Sequence, residues 1–247
     1  MHDLRQKANT QIIANYEQGG ADFLAMADFL LVFDLDGTLI DTVPDLANAL
    51  NHVLREHGHA PFSPREVQAM VGDGIPALVT RGFAGRGADA AEANEALPDF
   101  LAIYEASAAN LSRPYPGVRD TLAELRRRGY RTAVCTNKAE RATLAVLRGL
   151  DLMALFDGLA GGDHFAVRKP DPRHLLGLIA ELGARPDRAA MIGDNENDAA
   201  AAHAAGLPLI LMRYGYARTD PATLDAAALL DRFAELPATL ERLGLTP

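Results

Sequence analysis

The sequence predicts an α/β fold, a Rossmann-like doubly wound parallel sheet with an inserted all-helical cap domain. Three observations predict it. Short apolar runs of strand length recur along the chain, helical segments with recognisable ends separate them, and one long stretch after the first run has helical patterning alone. Strands and helices that alternate in this way form right-handed βαβ crossovers, so the strands lie parallel in one sheet.

The first predicted strand is the run from Phe29 to Phe33, which is apolar at every position. A run without polar alternation is typical of a strand that is covered on both faces, as in a parallel sheet. Similar runs predict further strands at residues 131–135, 189–192 and 207–212.

Helices are predicted between these strands from apolar side chains at helical spacing. Three of them cover residues 117–128, 172–182 and 198–205. A glycine follows each one directly, which is typical of the residue that ends a helix.

The stretch from Pro44 to Pro114 breaks the alternation, because it shows helices and no convincing strand. Residues 45–57 are amphipathic, residues 63–66 form a capping-box pattern, and residues 88–111 are rich in alanine.

These boundaries predict a division of the chain into three parts. Residues 44–114 form the helical cap domain, and residues 26–43 and 115–247 form the core domain. Residues 1–25 are an N-terminal extension with weak helical patterning.

Composition places the chain among ordinary globular proteins, because 49% of its 247 residues are hydrophobic and 23% are charged. The formal net charge of −9 makes nucleic acids and anionic membranes unfavourable partners. No apolar stretch approaches the ~20 residues that span a bilayer, and the single cysteine, Cys135, fits a reducing compartment. We therefore expect a cytoplasmic protein, either monomer or homodimer, that binds neither nucleic acid nor membrane.

Two carboxylates follow the first strand directly, in the segment D-L-D-G-T that contains Asp34 and Asp36. Ligands of open α/β sheets bind beyond the carboxyl ends of the strands. Adjacent carboxylates repel each other and favour a cation, and oxygen ligands favour Mg²⁺. With a phosphate ester bound, one aspartate can attack phosphorus while the other transfers protons. The alternative is a simple turn, because Asp-Gly is a common turn pair.

Candidate polar residues also occur at three later places in the chain. Thr136 and Asn137 end the second strand, Lys169 lies in a loop beside prolines, and Asp194 and Asp198 follow a further strand. Each has a structural alternative, such as a helix cap or an exposed loop. Their order at one edge of a single sheet favours a common site for phosphate and metal.

The ordered set D-L-D-G-T, T-N, K-P and G-D-x-x-x-D resembles the motifs of the haloacid dehalogenase superfamily, over residues 30–216. The resemblance implies a Mg²⁺-dependent phosphatase that works through an aspartyl-phosphate, with a mobile helical cap. The resemblance implies that Asp34 is the nucleophile and a metal ligand, and that Asp36 is the general acid/base and binds the metal through its backbone carbonyl. It implies that Thr136 and Asn137 bind phosphate and that Lys169 stabilises charge. Asp194 is then a metal ligand, and Asp198 supports the metal site.

Within that family, residues 71–74, 161–172 and 214–216 are similar to phosphoglycolate phosphatases. This resemblance implies that the partner is a small phosphorylated metabolite, with 2-phosphoglycolate expected first. The alternatives are a phosphatase for pyrophosphate, a nucleotide or an amino-sugar phosphate, and a hexose-phosphate mutase. A non-catalytic module that binds Mg²⁺ or phosphate is the alternative from another class.

Residues of the cap are expected to select the substrate. Gly72 and Gly74 form a flexible turn that could approach a small ligand. Arg81 follows seven residues after Gly74 and could bind a carboxylate through two hydrogen bonds. The alternative for Arg81 is a solvated arginine on a helix surface.

Overall fold

The computed structural model describes residues 29–107 and 109–247, so the extension predicted for residues 1–25 lies outside the described residues. Six strands form one sheet and two short strands form another. In chain order the strands are β1 (Leu30–Phe33), β2 (Ile40–Asp41), β3 (Arg113–Pro114), β4 (Arg131–Cys135), β5 (Gly158–Ala160), β6 (Ala189–Gly193), β7 (Leu209–Met212) and β8 (Ala228–Leu230).

The large sheet has the strand order β5-β4-β1-β6-β7-β8, and every neighbouring pair is parallel. Helices connect its strands and also follow β2 and β8. They are α1 (Val43–Glu56), α2 (Pro64–Gln68), α3 (Ile75–Ala84), α4 (Ala90–Ser107), α5 (Val118–Arg127), α6 (Glu140–Gly149), α7 (Pro172–Glu181), α8 (Glu196–Ala205) and α9 (Leu236–Arg242).

Alternate side chains of β1 enter two hydrophobic cores, one on each face of the sheet. Leu31 and Phe33 belong to a core with buried residues of α5, α6 and α9. Leu30 and Val32 belong to a second core with residues of α7 and α8. Burial on both faces explains why the run is apolar without alternation. The predicted doubly wound parallel sheet is confirmed.

The last of the predicted helices begins earlier than expected, at Glu196 and not at Asp198. Asn195 caps this helix, and its side chain accepts a hydrogen bond from a first-turn amide. The side chain of Asp198 in turn accepts from the Asn195 amide, which completes a capping box. Glu196 and Asp198 therefore lie in the first turn of α8, and Asp194 precedes its N-cap.

Helices α1 to α4 lie between β2 and β3, and their buried side chains join the core on one face of the sheet. The expectation that residues 44–114 contain no strand is wrong. Arg113 and Pro114 form β3, which pairs antiparallel with β2 in the register Ile40↔Pro114. The segments that lead into and out of the inserted helices therefore lie side by side. The division into core and cap domains stays a prediction.

Within the described residues, no helix combines the length and the apolar character that crossing a membrane would require.

Candidate active site

The carboxyl ends of the central strands bring the predicted residues to one edge of the sheet. Asp34 follows β1, and its amide donates to the carbonyl of Ile192 on β6 at 2.9 Å. Thr136 follows β4, and its amide donates to Ala160 on β5 at 3.0 Å. Because the strands are parallel, their polar ends meet where open α/β sheets bind ligands.

Three aspartates form a buried cluster at this edge. Asp34, Asp194 and Asp198 each offer a carboxylate oxygen, and these oxygens lie within 4.8 Å of one another. Burial raises the pKa of Asp34 to about 6 although Lys169 opposes the shift, and Asp198 and Asp36 raise it further. Burial and the neighbouring Asp198 and Asp34 also raise the pKa of Asp194 well above its usual range. A cation bound between oxygen ligands would relieve both effects, so this donor set fits a divalent ion such as Mg²⁺.

Asp194 is fixed by its neighbours on both oxygens. Thr38 Oγ1 donates to Oδ1 at 2.7 Å, and the amide of Tyr216 donates to Oδ2 at 2.6 Å. Gly37 has φ +87°, and a Cβ at that position would lie 2.5 Å from Asp194 Oδ2. Glycine is therefore required in the D-L-D-G-T segment both by the left-handed backbone and by the close approach of Asp194.

Asp198 supports the cluster instead of facing outward. Its Oδ2 accepts from the amides of Asp194 at 2.9 Å and Asn195 at 3.2 Å. Its Oδ1 accepts from Lys169 Nζ at 2.6 Å. Both oxygens of Asp198 are therefore held by donors of the chain itself, and Asp34 is the carboxylate of the cluster that lines the cavity.

Lys169 places a buried ammonium between two of these carboxylates, 2.9 Å from Asp34 Oδ1 and 2.6 Å from Asp198 Oδ1. Burial acts to lower its pKa, but Asp198 and Asp34 outweigh burial and raise it, so Lys169 stays charged. His174 holds the lysine backbone, because the Lys169 amide donates to His174 Nδ1 at 3.2 Å. The other ring nitrogen, Nε2, donates to the carbonyl of Gly161 at 3.1 Å. This pair of contacts requires neutral His174 with its proton on Nε2.

Asp36 is paired with Lys138, a residue that sequence analysis missed. Lys138 Nζ lies 2.7 Å and 3.0 Å from the two oxygens of Asp36, and Thr42 Oγ1 donates to Asp36 at 2.9 Å. Burial acts to lower the pKa of Lys138, but Asp36 and Tyr104 raise it overall. The available signal was a basic residue directly after Thr136-Asn137. It became informative only when β4 was placed beside β1.

A small cavity of about 30 Å³ opens above this edge. The sheet side is polar and the other side is mostly apolar with two glycines. The lining residues are Asp34, Asp36, Thr136, Asn137 and Lys138 from the sheet side, and Leu46, Val71, Gly72, Gly74, Ile75 and Leu78 from the inserted segment.

The turn that contains Gly72 is attached to the sheet side by hydrogen bonds. Asn137 Nδ2 donates to the Gly72 carbonyl at 3.1 Å and to the Lys169 carbonyl at 2.9 Å. Asn197 Nδ2 donates to Asp73 Oδ1 at 2.7 Å, and Arg218 donates to Asp73 Oδ2 at 2.7 Å. Asn137 therefore lines the cavity and also holds the turn of Gly72 through its side-chain amide nitrogen.

Arg81 is not among the residues that line the cavity, and its contact with a substrate carboxylate stays a prediction. Its guanidinium donates to the Met70 carbonyl at 2.8 Å and pairs with Asp73. Both partners belong to the inserted segment. The helix α3 turns Arg81 back toward the residues that precede it, so its charge is used to hold the turn of Asp73.

The chain is similar in sequence to a protein family and to individual known proteins. A model of the haloacid dehalogenase-like hydrolases matches residues 31–212. A phosphoglycolate phosphatase from Rhodospirillum rubrum is 42% identical over 230 residues, covering 88% of this chain and 95% of the relative. A phosphoglycolate phosphatase from Caulobacter vibrioides is 40% identical over 209 residues, covering 84% of this chain and 88% of the relative.

Solved structures agree with the sequence matches. A predicted phosphoglycolate phosphatase from Haemophilus somnus superposes with a TM-score of 0.82 at 30% identity, covering 85% of this chain and 97% of that one. CbbY from Rhodobacter sphaeroides, solved in complex with phosphate, has a TM-score of 0.70 at 29% identity, covering 87% and 99%. Together with the four motifs at one sheet edge, these matches show that the chain belongs to the haloacid dehalogenase-like hydrolase family.

Proposed function

We propose that this chain is a Mg²⁺-dependent phosphomonoesterase that hydrolyses 2-phosphoglycolate to glycolate and phosphate. The observation that carries the proposal is the buried Asp34, which lines the cavity with Lys169 Nζ 2.9 Å away. The names of the relatives, which are about 40% identical, support the choice of substrate. The single Cys135, buried in β4, fits a cytoplasmic location.

Asp34 and Asp194 would hold the metal ion, and the family resemblance adds the backbone carbonyl of Asp36. When bound, Mg²⁺ supplies positive charge that offsets the charge of the phosphoryl group in the transition state. The raised pKa values of Asp34 and Asp194 support this assignment, because a buried carboxylate pair favours a cation.

In the first half-reaction, an oxygen of Asp34 attacks phosphorus and the bond from phosphorus to the ester oxygen breaks. Asp36 enters this step protonated, with the Lys138 ammonium as its hydrogen-bond donor, and gives its proton to that oxygen, which leaves as the hydroxyl of glycolate. The Lys169 ammonium lies against Asp34 and compensates the charge of the phosphoryl group. The Thr136 hydroxyl, which lines the cavity, donates to a phosphoryl oxygen.

In the second half-reaction, Asp36 takes a proton from a water molecule, and the oxygen of that water attacks the aspartyl-phosphate. The bond between phosphorus and Asp34 breaks, phosphate leaves, and both carboxyl groups return to their starting states. Lys138 and Thr42 hold the Asp36 side chain through these steps. The apolar side chains of Val71, Ile75 and Leu78 exclude other water from the cavity.

The test is phosphate release by the wild type with and without Mg²⁺, on a panel of phosphate compounds. The panel holds 2-phosphoglycolate, pyrophosphate, a nucleoside monophosphate, an amino-sugar phosphate and a hexose phosphate. We expect Mg²⁺-dependent turnover that is fastest with 2-phosphoglycolate. Loss of that turnover in Asp34→Asn, but not in the exposed control Asp231→Asn, would support the assigned nucleophile.

Three results would contradict the proposal. Equal turnover in the wild type and Asp34→Asn would contradict the proposed mechanism. Faster turnover of another panel member would show that 2-phosphoglycolate is not the preferred substrate. Absence of Mg²⁺-dependent turnover on the whole panel would favour a module that binds phosphate or metal without catalysis.

A further inference from the structure

Arg168 lies beside the cavity on the side where the inserted segment meets the sheet. Gly74 lines the cavity, and a Cβ built on Gly74 would lie 3.3 Å from Arg168 Nη1 and 3.9 Å from Cζ. The guanidinium is thus in contact distance of the cavity wall. Arg168 directly precedes Lys169, so the same loop carries both cations.

The other cations around the cavity already have carboxylate partners. Lys169 is paired with Asp34 and Asp198, and Lys138 with Asp36. Arg81 and Arg218 are both paired with Asp73.

Arg168 is different, because no side chain of residues 29–107 or 109–247 forms an ion pair or hydrogen bond with its guanidinium. It is an exposed residue, and its positive charge is therefore available to a ligand.

The backbone on the same side adds hydrogen-bond donors. Gly74 precedes α3 and offers no capping side chain, and Ile75 begins the helix. The amides of Ile75 and Ala77 have no acceptor within the helix, as in the first turn of any helix. Gly74, Ile75 and Leu78 line the cavity, so this helix end adds positive potential near Arg168.

A small phosphomonoester that also carries a carboxylate has two anionic ends. Asp34 and Lys169 would determine where the phosphoryl end lies, at the edge of the sheet. The remaining end extends toward the inserted segment, whose lining is apolar apart from the glycine turn. A carboxylate there needs a cation or amide donors, because burial of an unpaired charge is costly.

We propose that Arg168 binds the carboxylate of the substrate and makes the enzyme selective for phosphomonoesters that carry one. This inference rests on the proposed hydrolysis of 2-phosphoglycolate and assigns that selectivity to the loop of Lys169, in place of Arg81. Arg168 acts on binding and takes no part in proton or phosphoryl transfer.

The experiment compares 2-phosphoglycolate with 2-hydroxyethyl phosphate, in which a neutral hydroxymethyl group replaces the carboxylate. Arg168→Ala is expected to lower kcat/KM for 2-phosphoglycolate about 10- to 100-fold, mainly through KM, as for loss of a hydrogen-bonded charge pair. Turnover of 2-hydroxyethyl phosphate is expected to change by no more than about twofold. Arg168→Lys should restore part of the selectivity, and Arg168→Glu should reverse it.

The control is Arg127→Ala, which removes one positive charge from an exposed position at the end of α5. It should leave both substrates unaffected. Turnover of 2-hydroxyethyl phosphate by Arg168→Ala also reports whether that variant is folded.

The outcomes separate this inference from the proposed function. If the wild type prefers 2-phosphoglycolate and Arg168→Ala keeps that preference, or loses both activities equally, the role of Arg168 is wrong and the substrate stands. If the wild type does not prefer 2-phosphoglycolate over 2-hydroxyethyl phosphate, the proposed substrate itself fails.

Discussion

The two sides of the cavity are built from different chemistry. The sheet side carries buried charges that contact one another, such as Lys169 with Asp34 and Lys138 with Asp36. The inserted side carries Val71, Ile75, Leu78 and glycines, attached to the sheet side mostly through polar groups around Gly72 and Asp73. The difference teaches that the two parts of the chain contribute different groups to one cavity: the sheet side contributes the charged side chains, and the inserted side contributes apolar side chains and glycine backbone.

Carboxylate variants on the sheet side should give the largest effects on kcat. Asp34→Asn should prevent formation of the aspartyl-phosphate, and Asp36→Asn should slow its hydrolysis, each by roughly 10³-fold or more, as for loss of a reacting group. Rapid quenching in acid followed by mass spectrometry should detect the phosphorylated chain in Asp36→Asn and not in Asp34→Asn. Near-wild-type rates in both variants would remove the distinction between the two sides of the cavity.

Acid should destabilise the sheet side through His174, which is fully buried. Burial, with a smaller contribution from the charge of Lys169, lowers the pKa of His174 to about 4. The unfolded chain binds a proton there below about pH 6.5, while the folded chain stays neutral. The free energy of unfolding therefore falls as pH decreases from about 6.5 toward 4, by about 2 kcal/mol at pH 5.

Urea unfolding near neutral pH and at about pH 5 measures this effect. His174→Gln removes the titrating group, so the difference between the two pH values should shrink relative to the wild type. His203→Gln, an exposed histidine that contacts the Asp225 carbonyl, is the matched control and should keep the wild-type dependence. An identical dependence in all three proteins would mean that other groups cause the acid sensitivity.

The smallest effect is expected from Asp73, on the inserted side. Its ion pairs with Arg81 and Arg218 are partly exposed and contribute about 1 kcal/mol. Asp73→Asn should raise KM for 2-phosphoglycolate a few-fold, about 3- to 5-fold, with little change in kcat. Steady-state kinetics measure KM and kcat of this variant. A large fall in kcat would show that the inserted side also takes part in the reaction chemistry.

Hydrophobic pattern alone predicted the four inner strands of the sheet, β4, β1, β6 and β7, but not the three-residue edge strands β5 and β8. The run from Leu30 to Phe33 is apolar throughout because alternate side chains enter different cores. Motif order also placed Asp34, Thr136 and Asp194 at one edge, because parallel strands share the direction in which they end. The short strand at Arg113–Pro114 was missed, since two residues carry no periodicity that a pattern could reveal.

By itself, the sequence determined the doubly wound fold, the acidic cluster and the family, because each depends on local patterns and their order. Only the tertiary structure decided which charges meet. Lys138 pairs with Asp36 across 102 positions, Arg218 reaches Asp73 across 145, and Arg81 is drawn away from the cavity. Such pairs depend on how strands and helices pack. The sequence shows that a residue is charged, but not whether its partner is a carboxylate, a substrate or water.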